Sequence, residues 1–108
     1  MGTPLVARYP VSAAVRGLCG AFPTLTLALS EERALIVIPD DAPIPPIGCI
    51  VDLEAVLDTG PLRAVAFVQE RGLVADDHGD DVFAIDLVMS EIDARGAVAL
   101  RDQRAVEH

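Results

Sequence analysis

The densest run of chemistry-bearing side chains is Asp76-Asp77-His78-Gly79-Asp80-Asp81, where four carboxylates and one imidazole fall within six residues. Carboxylate oxygens suit hard cations, and a bound cation could assist hydrolysis. The spacing does not continue to the bidentate Glu of an EF-hand loop, however, and turn formers in this density read first as a solvated hairpin connection. Glu31 and Glu32 are adjacent, and adjacent side chains of a strand point to opposite faces, so they read as turn residues pairing with Arg33. His78 is the single histidine apart from the terminal His108, which leaves no Ser-His-Asp relay. A Gly-rich phosphate cradle is also missing. The expectation is a chain with no catalytic residue, no metal and no cofactor.

Charge narrows the partners. The net charge is −9, with 17 acidic residues against eight arginines and no lysine. Such a surface repels nucleic-acid phosphates and anionic lipid. Arg8, Arg16, Arg63 and Arg71 could gather on one face around an anionic partner; the simpler reading is scattered charge balancing an acidic surface. No apolar run reaches the ~18–20 residues a membrane-spanning helix needs. Met1-Gly2-Thr3-Pro4 lacks a basic, apolar leader, so a cytoplasmic protein is expected. The lack of lysine beside abundant Ala, Arg, Val and Asp points to GC-rich coding and a bacterial source. Cys19 and Cys49 read as free, buried thiols. Residues 1–3 and 106–108 resemble cloning remnants, which leaves 4–105 as one domain.

Elements capable of positioning these residues emerge from period-two patterning. Tyr9, Val11, Ala13 and Val15 mark a first strand, with Pro10 near its start. Thr24–Ser30 alternates apolar and polar, Ser30–Arg33 is a tight turn, and Ala34–Ile38 is a second, more buried strand of that hairpin. Pro39–Pro46 cannot be regular structure and reads as a bend across a barrel end. Around it, Val37, Ile44 and Ile47 either form an exposed apolar patch or are buried beneath the bend. Val51, Leu53 and Ala55 alternate with a wet face of Asp52 and Glu54; a turn at Asp58–Pro61 leads into Leu62–Glu70. Arg71–Asp81 reads as a loop, and Phe83, Ile85, Leu87 and Met89 mark a sixth strand. Ser90-Glu91-Ile92-Asp93 has the form of a helix capping box, and Gly96 weakens the helix it would start by ~1 kcal/mol. The competing reading of the tail is a turn at 93–96 and a seventh strand at 97–100. The fold class expected is a mainly β, small six-stranded antiparallel barrel with a short C-terminal helix.

The order of these pieces resembles the PilZ domain family, over about Arg8 to Asp93. Arg8-Tyr9-Pro10-Val11 looks like the end of that family's opening arginine motif. Ala28-Leu29-Ser30-Glu31-Glu32-Arg33 looks like its Asp/Asn-x-Ser-x-x-Gly turn. Pro43–Leu53 resembles the lead into its next hairpin, and Asp81–Leu87 its last strand. A fainter likeness to the amino-terminal domain of Lon proteases fails because Gly48–Arg63 has no room for that family's helix.

The resemblance implies a six-stranded barrel of a kind whose best-known members bind cyclic di-GMP. Matched residue by residue, little of that ligand motif survives. Arg8 fits the second arginine, but the first falls on Pro4. Ala28 replaces the base-reading Asp or Asn, Arg33 replaces the Gly, and only Ser30 matches. Loss of a bidentate arginine and a base-reading carboxylate should each cost ~1–3 kcal/mol, together roughly a hundredfold in affinity. The resemblance then implies a degenerate member: a non-catalytic regulatory or adaptor domain that binds another protein in motility, pilus or signalling control. An exposed strand edge or the proline corner would serve as its contact, and a free edge would also permit self-assembly. The alternative is a genuine cyclic di-GMP receptor using Arg8 and Ser30.

Overall fold

The computed structural model describes residues 8–18, 20–76 and 78–107. Pro4, Cys19, Asp77, His108 and the expectations attached to them lie outside the described residues. Six strands run in chain order: β1 (Pro10–Val15), β2 (Phe22–Leu29), β3 (Arg33–Val37), β4 (Ile50–Leu57), β5 (Gly60–Ala75) and β6 (Asp81–Ile92). A helix, α1 (Ala94–Glu107), ends the chain. The strands close into a barrel in the order β1-β2-β3-β6-β5-β4, each neighbour antiparallel. The expected fold class is the one observed.

Small side chains make a barrel this narrow fillable. Ala13, Ala34, Ala55, Ala64 and Ala66 point inward and interleave with Val51, Leu53, Ile36, Ile85 and Leu87. Alternation of small and large residues lets a six-strand interior reach solid density without a cavity. The large aromatics are kept out of the centre, and only Tyr9 among them is fully buried, at one end of β1.

β2 does not obey its own apparent pattern. Its pairing with β3 shifts between Thr26↔Ile36 and Ala28↔Leu35, so Leu27 is a bulge. Pro10↔Leu25 and Val11↔Thr24 place the threonine, not the leucine, on the inward face. Thr26 is 1% exposed. Its Oγ1 accepts from the Tyr9 N–H at 2.9 Å and its N–H donates to the Tyr9 carbonyl at 3.0 Å. A satisfied hydroxyl can occupy a core position that an unsatisfied one could not. Thr24 likewise donates its hydroxyl to the Val37 carbonyl.

Two segments close the barrel ends. The Pro39–Pro46 bend leads into β4 with Pro45 buried, Val37 half-buried, and Ile44 and Ile47 left exposed. At the other end α1 lies across β5 and β4, burying Ala99, Leu100 and Gln103. The Thr59 hydroxyl donates to the Ala99 carbonyl at 2.6 Å.

The tail is therefore a helix, and its cap differs from the one expected. β6 runs through Ser90 to Ile92, and Asp93 is the N-cap. Asp93 Oδ1 accepts from the Gly96 N–H at 3.0 Å and from the Arg63 N–H at 3.1 Å, tying helix start to strand β5. Gly96 has a packing reason rather than a conformational one. A Cβ there would sit 2.4 Å from Asp93 Oδ1 and 3.1 Å from Leu62 Cγ.

Gly96→Ala should consequently destabilise the fold by ~1–3 kcal/mol, through overpacking and loss of the cap. An open helix position would give the opposite sign, a gain of ~1 kcal/mol. Urea denaturation of the two proteins distinguishes them, and a stabilised variant would contradict the close approach.

Candidate functional site

Ser30 and Arg8, the two residues that match the ligand motif, both have defined local roles. Ser30 organises the β2–β3 turn. Its N–H donates to the Arg33 carbonyl at 2.8 Å, and its Oγ accepts from the N–H groups of Arg33 at 3.0 Å and Glu32 at 3.2 Å. The same hydroxyl lies 3.3 Å from the Arg33 carbonyl, to which it donates. One donor and two acceptor sites are all a hydroxyl has. The Met89 N–H then fixes the turn to β6 through the Glu32 carbonyl at 2.8 Å.

Arg33 stands where the resembled motif has glycine. Its guanidinium reaches across to Asp86 on β6, Nη2 and Nε on the two carboxylate oxygens. Leu35↔Asp86 and Arg33↔Val88 are register partners, so this is a diagonal cross-strand pair. Hydrogen bonding to Asp86, then its charge, raises the Arg33 pKa still further above its ordinary value. Arg33 thus pairs across the sheet rather than with Glu31 or Glu32 beside it.

Arg8 meets a carboxylate at the far tip of the β5–β6 hairpin. Residues 71–75, read from sequence as loop, continue β5 and pair with β6 from Arg71↔Ile85 to Ala75↔Asp81. This long hairpin carries Asp76 to the start of β1, where Asp76 Oδ2 accepts from Arg8 Nη2 at 2.8 Å. The Asp76 side chain is 6% exposed and that of Arg8 34%. Asp76 Oδ1 accepts from the N–H groups of His78 and Asp80, each at 2.9 Å. Gly79, with φ +83°, completes the turn. The acidic run is therefore a hairpin tip built around the Asp76 carboxylate. Burial opposes ionisation of Asp76, but the N–H groups of Asp80 and His78 and the Arg8 guanidinium outweigh it, and the pKa lies below the ordinary 3.8.

Arg8 and Ser30 have separate partners. Tyr9 is bonded to Thr26, four residues and about 13 Å of strand short of Ser30. Of the other three arginines expected on one face, Arg16 and Arg63 meet neighbouring carboxylates of β4 and Arg71 stands apart from them. Arg16 clasps Asp52 through two bonds of 2.8 and 2.7 Å, lowering the carboxyl's pKa chiefly by that hydrogen bonding. Arg63 faces Glu54 at 3.5 Å, and Arg71 donates to the Pro45 carbonyl at 3.2 Å. Asp52 and Glu54 do share one outward strand face as expected, where they border a shallow groove of about 430 Å³ with Arg63, Val65 and Glu91. Cys49 carries a free, half-buried thiol.

The carboxylate partners of Arg8 and Arg33 were not legible in the sequence, because they lie 68 and 53 residues away. Only the barrel closure brings them together.

No protein-family model matches this chain, and no curated protein matches it in sequence. Solved structures do. The Bacillus subtilis inhibitor of motility, MotI/DgrA, superposes with a TM-score of 0.74 at 17% identity, over 96% of this chain and 49% of that one. The PilZ domain of CeSA from a cellulose-synthesizing bacterium gives 0.65 at 18% identity, over 99% of this chain and 100% of that one. The fold is that of a PilZ-like domain. The chain spans about half the length of MotI/DgrA.

The Asp76 contacts have a pH signature. A native pKa below 3.8 means that ionisation favours the folded state above that value, and that this contribution fades as pH falls through the native pKa. Asp76→Ala should therefore melt below the wild type at pH 7, with the gap narrowing as the pH falls below 3.8 and through the native pKa. Thermal melts across that range check it; a pH-independent gap would contradict the assignment.

Proposed function

We propose that this PilZ-like domain is a non-catalytic regulatory module that acts by binding another protein, without the cyclic di-GMP binding of its fold's best-known members. The observation that carries this reading is the 2.8 Å pair between Arg8 and Asp76. A phosphate would have to displace a carboxylate that is itself nearly buried and held by two backbone N–H groups. Arg33, the other cation close to the motif turn, is closed onto Asp86. Ser30 has no hydroxyl capacity left for a base edge.

Charge supports the same conclusion. A −9 protein opposes a dianionic ligand at long range, before any contact is made. A protein partner is recognised instead by surface shape and apolar area. Of the two contact modes expected from sequence, the strand edge is restricted: the barrel is closed, and one-sided pairing is left to strand ends such as residues 69–75 of β5. The exposed Ile44 and Ile47 keep the proline corner available. Among the described residues no helix is long and apolar enough to cross a membrane; a cytoplasmic setting in a bacterium is part of the proposal. The likeness to an inhibitor of motility favours a role in motility or surface behaviour.

Calorimetry with cyclic di-GMP tests the reading. No saturable heat is expected at ligand concentrations of about 100 µM, given a deficit of roughly a hundredfold in affinity. Low-micromolar binding abolished by Arg8→Ala would establish the receptor alternative, with Arg8 and Ser30 as its site.

A further inference from the structure

The outer wall of β4, β5 and β6 carries two rows of opposite character. Ile50↔Phe67 and Phe67↔Val88 are register partners, so these three side chains form one outward row across three strands, which ends at β3 on Arg33, the partner of Val88, itself paired with Asp86. Ile50 is 42% and Phe67 40% exposed, and Val88 is half-buried. Ile47, 64% exposed, extends the row at the β4 end, beside Gly48, which bonds to the Val68 carbonyl at 2.8 Å. The row is about 10 Å wide across the strands. One pleat further along, Asp52↔Val65 and Val65↔Glu91 form the next outward row, about 7 Å away. Beyond it Glu54 and Asp93 complete the groove of about 430 Å³, where Arg63 faces Glu54 and Arg16 clasps Asp52, so that two guanidiniums stand against four carboxylates.

Apolar side chains on an outer barrel wall gain nothing for the monomer's core, and a contiguous set of them marks a contact surface. The acidic neighbours decide the occupant. Two copies of a −9 chain would bring Asp52, Glu54, Glu91 and Asp93 against their equals, so self-association through this face is disfavoured. We propose that the Ile50–Phe67–Val88 row and the adjoining acidic groove together bind a basic amphipathic segment of another protein. Its apolar side chains cover Phe67 and Ile50, and its Arg or Lys side chains reach the Glu91 carboxylate. Phe67, at the middle of the row, is the anchor. The inference rests on the protein-binding reading above and names the face and the partner's chemistry.

The test titrates ¹⁵N-labelled protein with a synthetic helical peptide of Leu and Lys at amphipathic spacing, a Leu/Glu counterpart and an all-Lys peptide. The account expects the Leu/Lys peptide to shift resonances of Ile50, Phe67 and Val88. Phe67→Ser should weaken it about tenfold, as loss of a central anchor does. Glu91→Arg, an exposed change with little bearing on folding, should weaken it severalfold and reduce its salt dependence. The Leu/Glu and all-Lys peptides should bind far more weakly. Equal binding by the all-Lys peptide, insensitivity to both substitutions in proteins with unchanged melts, shifts confined to another face, or no binding by the Leu/Lys peptide would each overturn the inference. The parent reading fails on a different result, tight cyclic di-GMP binding at Arg8, so the two failures are distinguishable.

Discussion

The pairing of β1 with β4, from Val11↔Ala55 to Val15↔Val51, turns a six-strand sheet into a closed barrel. Without those rungs the first and fourth strands would present bare edges, and the inward alanines would face an interior too wide to fill. With them, the order β3-β6-β5 becomes fixed, and the long β5–β6 hairpin can curve only towards the start of β1. Every contact discussed for the candidate site is downstream of that closure. The Arg8–Asp76 pair exists because a hairpin tip and a strand start arrive at one place; the Arg33–Asp86 pair exists because β3 lies beside β6.

The same closure turns one face of every strand inward and the other outward to solvent. Inside, the core is built mainly from Ala, Val, Leu and Ile, with Tyr9 and Thr26 beside them. Outside, four of the eight arginines each meet a carboxylate: Arg8 with Asp76, Arg16 with Asp52, Arg33 with Asp86, Arg63 with Glu54. Exposed pairs of this kind contribute little to stability individually. Their chemical consequence is larger, since a guanidinium already holding a carboxylate is a poor receptor for a phosphate. The surface keeps excess negative charge and the exposed side chains of Ile50 and Phe67, which the proposed partner would cover.

Much of the architecture could be read from residue order, and the reasons for the exceptions are specific. Val11, Ala13 and Val15, like Val51, Leu53 and Ala55, keep strict period two and all point inward. β2 breaks the rule because Leu27 bulges and Thr26 satisfies its hydroxyl on the Tyr9 backbone, two facts that no local pattern encodes. Arg71–Ala75 resembles loop because Gly72 and two wet neighbours interrupt the alternation, yet pairing with β6 holds it extended. Ser90 has the form of a cap, but β6 continues through it and Asp93 takes the role. The site was legible only in its members. Arg8 and Ser30 were identifiable, but not the carboxylates that define what Arg8 and Arg33 can do, because those partnerships span the barrel.

The central claim is that Arg8 is held by Asp76 and is closed to a cyclic dinucleotide. Side-chain NMR of the arginine guanidinium groups, recorded with and without about millimolar cyclic di-GMP, addresses it most directly. The account predicts a slowly rotating Arg8 guanidinium whose signals are unmoved by the nucleotide and whose rotation quickens in Asp76→Ala. A freely rotating Arg8 in the wild type, or saturable shifts of its signals on adding the nucleotide, would contradict it.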